Sequence, residues 1–98
     1  MSDKKNSIMI IDDQEDNHII LRDLLEDAFE VQSAYSGEAC LKQIDPNHLP
    51  ISILLDLTMP GMNGFDVCER LKSNSTTEDI PIIFVTAETR GEEQLKAY

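Results

Sequence analysis

Residues 8–13 read Ile8-Met9-Ile10-Ile11-Asp12-Asp13, four apolar residues without a break and then two acids. An unbroken apolar run is what a strand covered on both faces requires, because its side chains point alternately into two dry layers. The change from apolar to acidic within one residue places carboxylates where the chain leaves the sheet. The same device recurs in Ile51-Ser52-Ile53-Leu54-Leu55-Asp56, a second strongly apolar strand that ends on a carboxylate.

The segments around these two strands alternate between helical and extended patterns. From Glu15 to Phe29, Ile20, Leu21, Leu24, Leu25 and Ala28 recur at three- and four-residue spacing, which predicts a helix packing that face on the sheet. Residues 30–35 alternate around Val31 and predict a weaker edge strand. Ser36 is placed to cap a helix running to about Ile44, and Pro46 and Pro50 bracket a loop. Phe65, Cys68 and Leu71 stripe a third helix, and residues 80–85 predict a fourth strand ending at Thr86. From Glu88 a further helical run begins and breaks off at Tyr98, with Glu88, Glu92 and Glu93 on a solvated face. Strands alternating with helices predict an α/β fold, a parallel sheet covered by crossover helices, as one domain over residues 1–98.

Composition narrows the function. The 98 residues are 41% hydrophobic, enough for one core and too few for two domains. Eight basic against 19 acidic residues give a net charge of −11, which repels a nucleic-acid backbone. No apolar stretch approaches the ~20 residues of a membrane helix, and Met1-Ser2-Asp3-Lys4-Lys5 is not followed by the apolar core of a signal peptide, so a cytoplasmic setting is expected. Cys40 and Cys68 are isolated, with no histidine at zinc-site spacing, and read as small apolar residues. His18 and His48 lie in polar surroundings, which predicts solvent exposure for both.

In open α/β sheets ligands bind beyond the carboxyl ends of the strands, and Asp12, Asp13, Asp56 and Thr86 all fall at such ends. If the two acid-tipped strands are neighbours, three carboxylates converge. Each pair ~4 Å apart repels by about 4 kcal/mol at an effective dielectric near 20, so the group calls for a cation or protons. Hard carboxylate oxygens suit Mg²⁺, and a magnesium-assisted phosphoryl site follows. Taken singly, each residue has a plainer reading: Asp13 with Asp16 as a helix cap and first-turn charge, Asp56 as a strand exit, and Thr86 as a strand residue. It is their coincidence that favours chemistry.

Asp12-Asp13, Asp56, the loop Asp56-Leu57-Thr58-Met59-Pro60-Gly61-Met62-Asn63-Gly64 and Thr86-Ala87 together resemble the response-regulator receiver family. The resemblance implies a flavodoxin-like open parallel sheet of strand order 2-1-3-4. It implies Asp56 as phosphoacceptor, and Mg²⁺ held by Asp13, Asp56 and the Thr58 carbonyl, with Asp12 helping through water. Thr86, followed by Ala87, would be the switch hydroxyl that bonds the phosphoryl group, and Met59, Pro60, Gly61 and Gly64 would shape the loop beside the metal. The implied partners are a histidine kinase or phosphotransfer protein and a downstream output domain or target. The reaction would be stoichiometric, with no catalytic turnover.

The likeness is expected to be incomplete, with the family's fifth strand, its phosphoryl-contacting lysine and its fifth helix not expected within these 98 residues. Lys96, expected in the unfinished helix, is no substitute. The fourth strand is therefore expected to leave an open edge, which predicts domain-swapped dimers or other homo-oligomers. Two rival functions remain. One is a phosphorylation-incompetent interaction scaffold; the other is an aspartyl-phosphate hydrolase, although Thr58 stands where such enzymes carry a second acid.

Overall fold

The computed structural model describes residues 5–57, 59–85 and 95–97. Strands β1 (Ser7–Ile11), β2 (Glu30–Ala34), β3 (Ser52–Asp56) and β4 (Ile82–Val85) alternate with helices α1 (Glu15–Leu25), α2 (Gly37–Gln43) and α3 (Gly64–Lys72), and a short β5 (Leu95–Ala97) follows. The sheet order is β2-β1-β3-β4-β5, with the first four strands parallel. The expected α/β architecture and 2-1-3-4 order are thus both present.

Register explains the layering. Met9 pairs with Ile53, Ile53 with Ile82, Ile11 with Leu55, and Leu55 with Phe84, so these residues share one face. Together with Ala34 of β2 and Cys40, Val67 and Leu71 of α2 and α3, they form the buried core. Gly37 lets the two helices approach: a Cβ there would lie 2.5 Å from Val67 and 2.9 Å from the Met62 sulfur. Ser36 caps α2 as expected, accepting from the Ala39 amide.

The opposite face carries α1, and here the expected packing is corrected. The apolar stripe of Ile20, Leu24 and Ala28 does not face the sheet: Leu24 is 72% exposed, Ile20 56%, and the helix ends before Ala28. Instead the inward side carries His18, Leu21, Arg22 and Leu25. Arg22 donates to the Val31 carbonyl and to Ser33 Oγ on β2, so polar bonds to the edge strand, which apolar spacing cannot register, set the helix rotation. Phe65 likewise lies outside the buried stripe of α3, which is Gly64, Val67 and Leu71; it is exposed, with its ring 5.2 Å from that of Phe84. Strand β4 begins at Ile82 and not Ile80, because Ile80 closes a turn onto Thr77 and Pro81 has no amide to donate.

The helix expected to reach Tyr98 is corrected at residues 95–97, which form a strand antiparallel to β4. Lys96 therefore stands in a strand, opposite Phe84, and the edge expected to be open is paired from Ile83 to Val85. Strand edges present unmet backbone donors and acceptors, and that demand outweighs the weak local helix preference of three residues. The Glu88, Glu92 and Glu93 run lies outside the described residues.

Candidate metal and phosphoryl site

The site is built where β1 and β3 leave the sheet side by side. The chain departs from β1 through α1 towards β2 and returns through α2 to β3, so the gap between these two strands is the topological switch point, where open α/β sheets bind ligands. One carboxylate oxygen from each of Asp12, Asp13 and Asp56 lies within 4.8 Å of the others, with Asp12 and Asp56 buried and Asp13 half-buried. At that spacing each charged pair repels by roughly 3–4 kcal/mol for an effective dielectric near 20. A hard divalent cation removes the repulsion, and three carboxylates fit Mg²⁺, which takes a few protein oxygens and keeps water or phosphate oxygens in its remaining positions.

Asp12 is held at every polar atom. Its amide donates to the Ala34 carbonyl at 3.1 Å, and its own carbonyl accepts from His18 Nε2 at 2.7 Å. Its carboxylate accepts from the Gln14 amide at 2.9 Å and from Asn17 Nδ2 at 3.0 Å. Asp13 has a looser bond, accepting from the Gln14 side chain at 3.4 Å. The helix cap is Gln14, with no side-chain capping bond, so the plainer reading of Asp13 as a cap is not what the structure contains.

On the other side of Asp56 the loop closes tightly. The Gly64 amide donates to the Leu57 carbonyl at 3.0 Å, and Asn63 caps α3 by accepting from the Asp66 amide. A Cβ on Gly64 would sit 2.5 Å from the Asp56 carbonyl oxygen, so only glycine fits. Gly61 has φ +77°, a left-handed turn that also suits glycine. Met59 is buried and Pro60 exposed. Thr58, Thr86 and Ala87 lie outside the described residues.

Sequence reasoning missed His18, Asn17 and Gln14. The expected exposure of His18 is corrected: it is 1% exposed, bonded to Asp12 and to Ser33 Oγ at 3.0 Å, with its ring 4.1 Å from that of Tyr35. Its spacing of three and seven from Leu21 and Leu25 was the available signal. His48, by contrast, is exposed as expected, 3.4 Å from Glu30. The Tyr35 hydroxyl donates to Glu15 at 2.6 Å, and that bond, then burial, raises the phenol above its ordinary range.

These features define an open parallel α/β domain with an acidic site at the switch point of its sheet. The family model of the response regulator receiver domain matches residues 8–98, and the chain belongs to that family, a domain of two-component signalling. It is 42% identical over 81 residues to the response regulator PleD of Caulobacter vibrioides, covering 82% of this chain and 18% of that protein. It is 37% identical to the phosphate regulon transcriptional regulatory protein PhoB of Rhizobium meliloti, covering 88% of this chain and 37% of the other. The chain therefore spans about a fifth to a third of these curated relatives. Among solved structures, the N-terminal domain of a response regulator receiver protein from Methanoculleus marisnigri superposes with a TM-score of 0.77 at 32% identity, covering 89% of this chain and 72% of that one. Among the described residues no helix is long and apolar enough to cross a membrane.

Proposed function

We propose that this receiver domain is a phosphoacceptor: Asp56 takes a phosphoryl group from a histidine kinase or phosphotransfer protein, and a downstream output domain or target reads the result. The gathering of three carboxylates within 4.8 Å at the ends of adjacent strands carries this reading. Asp13, Asp56 and the Thr58 carbonyl would hold Mg²⁺, with Asp12 acting through water. Bound Mg²⁺ would neutralise the oxygens of the incoming group and favour its in-line approach.

An Asp56 carboxylate oxygen forms the new P–O bond while the P–N bond to the donor histidine breaks, its electron pair staying on nitrogen. Asp12, bonded at all its polar atoms, keeps its charge beside Asp56 without swinging into the path of attack. Gly64 fixes the backbone from which Asp56 projects. The Thr86 hydroxyl, followed by Ala87, would bond a phosphoryl oxygen after transfer, and Met59, Pro60 and Gly61 would shape the loop beside it. The setting is the cytoplasm, where a histidine kinase presents its phosphohistidine.

Intact mass after incubation with acetyl phosphate and Mg²⁺ tests the reading. One added phosphate per chain, absent from Asp56→Asn, is expected. Absence of an adduct with metal bound would favour the scaffold function, and catalytic release of phosphate from small esters would favour a hydrolase.

A further inference from the structure

We infer that His18 is a positioning residue for the acidic site: the imidazole holds the Asp12–Asp13 peptide in the orientation that lets the carboxylates share one cation. The inference rests on the metal-binding reading above. His18 is the buried residue of α1, and it points at the backbone of the cluster.

A carbonyl oxygen only accepts, so Nε2 carries the proton donated to Asp12 at 2.7 Å. On the ring's other side Nδ1 lies 3.0 Å from Ser33 Oγ, which itself accepts from Arg22 at 2.8 Å. A Ser33 hydroxyl receiving the Arg22 proton can direct its own at Nδ1. Arg22, Ser33, His18 and Asp12 then form one continuous chain from α1 through β2 to the tip of β1. Tyr35, held by Glu15, covers the ring and fixes its tilt.

Locking the Asp12 carbonyl sets the peptide plane that joins Asp12 to Asp13. The Gln14 amide and the Asn17 side chain steer the Asp12 carboxylate, and among the described residues Asp13 has one long bond, 3.4 Å from the Gln14 side chain. The direction of Asp13 thus depends on the peptide that His18 holds. Outer groups that orient ligands in this way typically change metal affinity tenfold or more when removed.

The test is Mn²⁺ affinity, followed by electron paramagnetic resonance on folded wild-type chain and on His18→Gln, His18→Asn and His18→Leu, with folding checked by circular dichroism. The amide nitrogen of glutamine can reach the position of Nε2, whereas that of asparagine corresponds to Nδ1 and stops short of Asp12. Affinity is expected to fall about tenfold in the Asn and Leu variants and to stay within about twofold in the Gln variant. A merely space-filling ring predicts a different order, in which Leu does no worse than Gln. Equal affinity in all four proteins, or equal loss in all three variants, would overturn the inference and leave the phosphoacceptor reading standing. A wild-type chain that binds no Mn²⁺ would overturn both.

Discussion

Ile11 and Leu55 are register partners on adjacent parallel strands, and the residue after each is an aspartate. The acidic site is therefore a product of register. Sliding β3 by one residue against β1 would shift Asp56 by about 3.3 Å along the strand and turn its side chain to the other face of the sheet. The register that places Met9, Ile11, Ile53 and Leu55 together in the core also brings Asp12 and Asp56 side by side.

Like charges at this spacing give Asp13→Asn two effects of opposite sign. Without metal, removing one charge should stabilise the chain by about 1 kcal/mol after solvent screening of this half-buried group, raising Tm by about 4–8 °C. With Mg²⁺ at a hundred times its Kd, the wild type should gain about 2.7 kcal/mol and the variant almost nothing. Thermal melts in EDTA and in Mg²⁺ check both signs, and an apo Tm that falls on substitution would contradict the repulsion.

The two faces of the sheet should respond unequally to truncation. Ile53 is fully buried against α2 and α3, so Ile53→Ala should cost about 2–5 kcal/mol. Leu54, one residue on, points to the half-covered α1 side and should cost roughly half as much. Urea denaturation of the two variants gives the comparison.

The sheet and all three carboxylate positions were legible because buried strands spell themselves out as apolar runs, and acids directly after such a run emerge at the end of the sheet. The rotation of α1 was not legible. Ile20 and Leu24 have the spacing of a buried face, yet Arg22 and His18 win the inward side through bonds to backbone and hydroxyl groups of β2 and β1 that no periodicity encodes. Residues 95–97 were misread for a related reason, since three residues carry little preference of their own and an available sheet edge decides for them.

The two thiols should differ in reactivity. Burial pushes the Cys40 thiol up to about 12, while Cys68 is raised less, its desolvation partly opposed by Lys72. Iodoacetamide near neutral pH should label Cys68 first and reach Cys40 only as fast as the domain opens. Because the folded chain holds the Cys40 proton more tightly than the unfolded one, its contribution to stability is complete below the ordinary value of 9.0 and is lost as pH rises towards 12. Melts across that alkaline window should show a decline that Cys40→Ala lessens.

Ser36 offers a local test of helix α2, which has only seven residues and one side-chain cap. Ser36→Ala should cost about 1 kcal/mol by leaving the Ala39 amide without its acceptor, and Ser36→Asp should restore most of it. Denaturation midpoints of the pair distinguish capping from simple surface exposure.

Only a hydrogen atom fits between Gly64 and the main chain of Asp56, so the tip of β3 and the opening turn of α3 behave as a single rigid block. Closer approach of the two elements is barred by contact between their main chains. Asp56 itself is the register partner of Val85, so the end of β4 lies directly beside this block.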